Sequence, residues 1–83
     1  MSFVGYIVAN DREEFLAGYR KLRLDSAWFA WALSPGFALV FATMSEALRI
    51  VRGEQRYAGQ LVVRELWDAG AHWVVSWDEG QAS

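Results

Sequence analysis

The side chains best suited to catalysis or metal binding are few in this chain. It has no cysteine and one histidine, His72, among its 83 residues. Tetrahedral or facial metal sites draw on several histidine, cysteine or carboxylate ligands at regular spacing, which this chain does not offer. His72, Ser76 and Asp78 could be written as a triad, but strand alternation places His72 and Ser76 on one side of a strand with no nucleophile elbow. We therefore expect no metal, and an ordinary strand residue at His72.

Paired carboxylates and glycine-rich loops give equally weak signals. The pairs Glu13-Glu14 and Asp78-Glu79 are sequence neighbours, and neighbours in a strand point to opposite faces instead of converging on a substrate. Gly53 and Gly59 lack the flanking Lys, Ser or Thr of a phosphate-binding loop. These patterns predict no enzyme and no cofactor.

Aromatic residues form the strongest compositional signal. The chain carries five tryptophans. Burial in a sheet–helix core is the simpler interpretation for any one of them, but so small a domain cannot easily enclose all five. Tryptophan also dominates binding hot spots, because it covers a large area at low entropic cost. We therefore expect some aromatic surface to face a partner.

The charges are nearly balanced but unevenly placed. Ten acidic residues offset eight basic ones, for a net charge of −2, which argues against a general polyanion binder. Partner binding is predicted for two basic clusters and four tryptophans: Arg20, Lys21, Arg23, Arg49, Arg52, Arg56, Trp28, Trp31, Trp73 and Trp77. Two alternatives are a homodimer formed through a strand edge or aromatic face, and single-stranded nucleic acid stacked on the sheet aromatics.

Apolar periodicity predicts an α+β fold: an antiparallel sheet of five or six strands with one helix packed on one face. The helix begins at Thr43 or Ser45 and ends near Arg52, with Gly53 as its stop signal. Strands are predicted at Phe3–Ala9, Ala27–Leu33, Phe37–Ala42, Gln60–Trp67 and Ala71–Trp77, with the second and third forming one hairpin and the last two forming a closing hairpin. The buried helix stripe is predicted at Met44, Ala47, Leu48 and Val51.

The segment from Arg12 to Leu24 fits two structures. Helical spacing of Phe15, Leu16, Tyr19 and Leu22 favours a helix. The other interpretation is a short strand over Glu13–Ala17, paired with the first strand, followed by a basic loop that Gly18 opens.

One domain covers residues 1–83, with a flexible polar tail expected at 77–83. The uncharged stretch Ser26–Ser45 is divided by Ser34-Pro35-Gly36, so we expect strands there and no membrane span. The N-terminus has no basic segment followed by an apolar one, so no cleaved signal is expected, and the lack of cysteine favours the cytoplasm.

A series of short motifs resembles a pattern found in very short proteins of phages and mobile elements. The motifs are Tyr6-Ile7-Val8, Glu14-Phe15-Leu16-Ala17, Trp28, Ala38-Leu39-Val40-Phe41 and Ser45-Glu46-Ala47-Leu48. The resemblance implies a strand pair, a tryptophan strand and a strand-to-helix junction, and it favours the strand at Glu13–Ala17.

Among such proteins, those of this size without cysteine resemble anti-CRISPR inhibitors. That family has no shared motif, so the resemblance transfers no residue role. It implies an inhibitor in the host cytoplasm that docks on a protein or ribonucleoprotein complex and blocks its nucleic-acid contact.

Overall fold

A computed structural model of the chain describes residues 1–23, 26–58 and 60–76, with the backbone alone at 26 and 55–58. The elements are β1 (Ser2–Asn10), β2 (Phe15–Arg23), β3 (Ser26–Ala32), a 3-10 turn (Pro35–Phe37), α1 (Met44–Ala58), β4 (Leu61–Asp68) and β5 (Trp73–Val75). The strands form one antiparallel sheet in the order β3-β2-β1-β4-β5, against which α1 packs. The predicted α+β fold is confirmed.

β1 lies at the centre of the sheet because both of its faces are apolar. Val8 packs under α1 with Leu16, Ala47, Val51 and Leu61. Ile7 and Ala9 point the other way and join Phe15 and Leu66 in a second cluster. The sheet therefore has a buried cluster on each face.

A tight turn connects β1 to β2. The Asn10 side-chain oxygen accepts from the N–H groups of Arg12 and Glu14, each at 2.9 Å, and its amide donates to the Glu14 carboxylate. Glu13 adopts a left-handed φ of 61° to complete the turn. The helical alternative for this segment is wrong. The predicted basic loop after Gly18 is wrong as well, because β2 continues to Arg23 through backbone pairing with β3.

The segment 33–43, which we call the strap, replaces the strand predicted at Phe37–Ala42. Pro35 starts a 3-10 turn, and the Leu39 N–H then donates to the Leu16 carbonyl over 2.8 Å. Phe41 and Tyr6 exchange two backbone bonds of 2.8 and 2.9 Å. The strap is thus held by β1 and β2, so the predicted hairpin with β3 is wrong.

α1 begins where the sequence predicts. Thr43 and Glu46 form a reciprocal capping box, with bonds of 3.2 and 3.3 Å between each side chain and the other residue's N–H. The predicted end is wrong, because the helix passes through Gly53 and continues to Ala58. No helix in the described residues is both long and apolar enough to cross a membrane.

The buried stripe of α1 also differs in part from the prediction. Ala47 and Val51 are buried as expected, whereas Met44 is exposed and Leu48 is half-buried. Ile50 packs against the helix-side cluster, and Glu54 is buried one turn further on. The face of α1 that packs on the sheet is therefore rotated toward Ile50, and it includes the carboxylate of Glu54.

The closing hairpin is confirmed, although its second strand is shorter than predicted. The Asp68 carboxylate accepts from the Gly70 N–H over 2.8 Å, and the Ala69 N–H donates to the His72 carbonyl. β5 is described as Trp73–Val75, and Trp77 lies outside the described residues.

Candidate functional site

The tryptophans of β3 lie on opposite faces of the sheet, as alternation predicts. Trp31 packs against the helix-side cluster and stacks on Phe29 with ring centres 6.0 Å apart. Trp28 points to the face that α1 does not cover and is 53% exposed. Trp28 is therefore the tryptophan of this pair that can meet a partner.

Trp73 is partly exposed on β5, at the far edge of the sheet from Trp28. Its indole nitrogen lies 2.7 Å from the position that a β-carbon on Gly36 would occupy, so the strap packs closely beneath it. The structure does not bring Trp73 and Trp28 together in one strand pair, because three strands separate β3 from β5.

The cations predicted to bind a partner are dispersed over the molecule. Arg20 lies directly opposite Trp28 in the β2–β3 pair, whereas its neighbour Lys21 points toward α1. Arg23 is exposed at the end of β2. Arg49 and Arg52 line a separate open hollow of about 560 Å³ on α1, and the Arg56 side chain lies outside the described part of the structure. Only Arg20, among the predicted cations with described side chains, lines the groove beside Trp28.

An open groove of about 650 Å³ lies beside Trp28, and we call it the Trp28 groove. Leu22, 57% exposed, and Trp28 supply apolar surface, while Arg20 is the cationic residue of the lining. The complete lining is Gly18, Tyr19, Arg20, Leu22, Trp28 and Leu39. Leu39 comes from the strap, so the groove is complete only when the strap is packed against β1 and β2.

Gly18 permits the position of Trp28. A β-carbon at residue 18 would lie 2.9 Å from Cζ3 of the Trp28 ring, which is closer than van der Waals contact allows. The bulge in the β2–β3 register falls between Leu16 and Gly18 and sets Arg20 opposite Trp28. The shifted register and Gly18 together create the groove, and neither feature is predicted from the sequence.

Beneath β2, on the helix side, a carboxylate is buried in a polar cluster. Glu54 is 2% exposed and accepts from the Tyr19 hydroxyl at 2.8 Å and from the Lys21 ammonium at 2.6 Å. The cluster ties the C-terminal half of α1 to β2. The sequence does not predict this cluster, because Glu54 follows Gly53, a residue type that favours a helix end, although the spacing of seven between Ala47 and Glu54 is a helical signal.

The pKa of Tyr19, which belongs to this cluster, is raised from 10.0 to about 12. Burial is the main cause, and the hydrogen bond to Glu54 and the charge of Glu54 raise the pKa further. The folded protein therefore holds Tyr19 neutral at pH values where the unfolded chain ionises it. The stabilisation from this shift is fully present below pH 10 and is lost as pH rises through 12.

We expect Tyr19→Phe to destabilise the protein at pH 8, since it removes a hydrogen bond to a charged group, by about 1.5–3 kcal/mol. The difference from the parent should shrink between pH 8 and pH 11, because the phenylalanine variant has no residue-19 proton to lose. Urea unfolding midpoints at both pH values measure this change. Parallel pH dependence in the two proteins would contradict the raised pKa.

Among the described residues, the remaining polar candidates do not assemble into a site. The Ser76 hydroxyl accepts from the Glu65 N–H at 3.1 Å, His72 is exposed near the β4–β5 turn, and Asp78 lies outside the described residues. Glu14 bonds to Asn10 in the β1–β2 turn. Within the ranges that the structure describes, no three His, Cys, Asp or Glu residues are grouped closely enough to hold a metal ion.

Comparisons with known proteins give no relative. No protein-family model, no curated protein and no solved structure matches the chain. The interpretation of the Trp28 groove therefore depends on its own residues.

Proposed function

We propose that this protein is a non-catalytic binding domain that takes a segment of a protein partner in the Trp28 groove. The observation that carries the proposal is the pairing of Trp28 and Leu22, each more than half exposed, in one groove with Arg20. Large apolar side chains in an open groove stay in contact with water unless a partner covers them. An aromatic surface with an adjacent arginine is the composition typical of binding hot spots.

The lining chemistry favours a segment that combines an apolar side chain with a carboxylate. The apolar group would pack on Trp28 and Leu22, and the carboxylate would pair with the Arg20 guanidinium in a fork geometry. Such a segment uses the apolar surface and the charge at once.

A protein fits this groove better than a nucleic acid does. Binding a nucleic-acid backbone requires several uncompensated cations along its path. The net charge is −2, and Lys21, which neighbours Arg20 in sequence, is held on the other side of β2 by Glu54. Arg20 alone supplies a described cation in the groove lining.

Leu22→Asp tests the proposal. Peptides selected from a random library against the parent protein should combine an acidic residue with an aromatic or aliphatic one. Their affinity, measured by fluorescence anisotropy, should fall at least tenfold for Leu22→Asp, since the substitution removes an apolar contact and repels the carboxylate. Leu33→Asp is the matched control, because Leu33 is 82% exposed and lies outside the groove lining.

Two results would overturn the proposal. Equal loss of peptide affinity in both aspartate variants would remove the groove from the interaction. Binding of single-stranded oligothymidylate that depends on Leu22 and Trp28, with no selected peptide bound, would assign the groove to nucleic acid.

The resemblance to anti-CRISPR inhibitors gives the proposal one concrete form, in which the partner is a CRISPR surveillance complex and binding blocks its DNA contact. The same two variants test this form. With a purified surveillance complex and its target DNA, the parent and Leu33→Asp should reduce the DNA shift in a gel assay, and Leu22→Asp should not. If the parent protein leaves the gel shift of the DNA unchanged, it does not inhibit that complex. The peptide experiment then tests binding in the groove independently.

A further inference from the structure

Within the part of the chain that the structure describes, β3 is an edge strand without the usual protection, since the bulges of the β2–β3 pair lie on β2. It pairs with β2 on one side, and among the described strands nothing pairs with its other side. Its seven residues, Ser26–Ala32, include no charge and no proline. Natural sheets usually protect an edge with lysine, proline, a bulge or a very short strand, because an open edge exposes unpaired N–H and C=O groups. The opposite edge, β5, is short, at three residues.

We propose that a second copy of this chain pairs with β3 antiparallel, about a two-fold axis at Phe29. This register opposes all seven residues of one strand to all seven of the other. The two-fold axis must pass through a residue if each face of the sheet is to continue from one copy into the other. A one-residue slip would place the helix-side face of one copy beside the opposite face of its partner. An axis through Trp28 or Ala30 would pair fewer residues of the strand.

Side-chain sizes favour this register. Centring on Phe29 places Trp28 opposite Ala30 of the second copy, and Trp31 opposite Ala27 of the second copy. Each indole then meets a methyl group instead of another indole. The same rule already operates inside the chain, where Trp28 lies over Gly18 with the Ala30 β-carbon close by. Trp28 would thus have a small neighbour on both sides.

Charge also favours a second copy over a charged partner strand. The edge is uncharged, so self-pairing opposes no like charges, and the cations Arg20 and Arg23 stay one strand behind the interface on β2. Trp28 belongs to both the groove and the edge strand, whereas the other lining residues of the Trp28 groove come from β2 and the strap. The pairing rests on the open edge and the side-chain sizes of β3, and it does not depend on the proposed binding function.

A size-exchange series tests the pairing by light scattering after size-exclusion chromatography. The parent should elute at twice the monomer mass. Ala30→Trp should give a monomer, because it opposes two indoles, and the double variant Trp28→Ala/Ala30→Trp should restore the dimer, because large again meets small. Leu33→Trp, just beyond the strand, is the control and should stay dimeric. Circular dichroism spectra confirm that each variant is folded.

Cross-linking provides a register-specific second measurement that does not need Ala30→Trp to fold. The chain has no cysteine, so Phe29→Cys introduces one thiol that faces its own copy across the axis. A short bifunctional thiol reagent should join the two copies. Leu33→Cys is the control, because its two thiols would lie eight residue steps, or about 26 Å, apart.

A monomeric parent at high concentration overturns the proposal. So does a dimer that survives Ala30→Trp, or a double exchange that fails to restore it. Cross-linking of Leu33→Cys in preference to Phe29→Cys would overturn the register.

Discussion

Val51→Asp is expected to leave the protein unfolded at neutral pH. Val51 is buried against the sheet with Val8, Leu16 and Leu61. An aspartate there would bury a carboxylate among apolar groups, which costs several kcal/mol. A chain of 83 residues is stable by roughly 4–12 kcal/mol in total. Circular dichroism at 222 nm and the absence of a cooperative urea transition measure the loss.

Leu48→Asp is the matched comparison, because it makes the same change three positions earlier on α1. Helical spacing predicts Leu48 in the buried stripe, but its side chain is half-buried and borders the hollow lined by Arg49 and Arg52. A carboxylate at residue 48 reaches water and two guanidinium groups, so this variant should fold with a lower Tm. Arg49→Glu should change stability little, since Arg49 is exposed. A larger loss of stability in Leu48→Asp than in Val51→Asp would contradict the observed orientation of α1, in which Val51 faces the sheet.

Features that depend on local chemistry could be predicted from the sequence. Ile7, Val8 and Ala9 are successive apolar residues, so both faces of their strand had to be buried and β1 had to be central. Thr43 and Glu46 have capping-box spacing, which fixed the start of α1. In both cases the deciding residues are within three positions of one another.

Features that depend on contacts distant in sequence could not be predicted. Gly53 is a common helix terminator, but the helix continues because Glu54 gains bonds to Tyr19 and Lys21, more than thirty residues away. The strap has the apolar composition of a strand, yet its backbone bonds go to Leu16 and Tyr6. Propensity favoured the glycine stop and the strand, and tertiary contacts outweighed it in both places.

The candidate site was predicted only in part, because it too depends on contacts between residues distant in sequence. Alternation alone separates Trp28 from Trp31, but which of them is exposed depends on where α1 packs. The placement of Arg20 opposite Trp28 depends on the register of β2 and β3, and a bulge shifts that register at Gly18. The ten predicted binding residues therefore included Trp28 and Arg20 but could not be ranked, and Leu22, Gly18 and Leu39 were missed.

Gly5→Ala is expected to destabilise the protein by about 1–3 kcal/mol, because it overpacks the point where the strap meets β1. A β-carbon at residue 5 would lie 2.5 Å from Val40 Cγ1 and 2.8 Å from the Phe41 carbonyl oxygen. The Val40 methyl can rotate away, but the carbonyl belongs to backbone that is bonded to Tyr6. The strap must therefore shift. Thermal melts measure the cost, and faster hydrogen exchange at the Phe41 and Tyr6 amides should locate it.

Gly53→Ala makes the same chemical change where the structure predicts the opposite sign. Nothing lies within 4 Å of the position its β-carbon would take, and α1 extends on both sides of it. Alanine restricts the unfolded chain and suits a helix interior, so we expect a gain of about 0.5–1 kcal/mol. If Gly53 ended the helix, as its residue type suggests, alanine there would destabilise the protein instead. Gly53→Ala therefore tests whether α1 continues past residue 53, and Gly5→Ala tests whether the strap packs closely on β1. Local sequence rules predict neither feature.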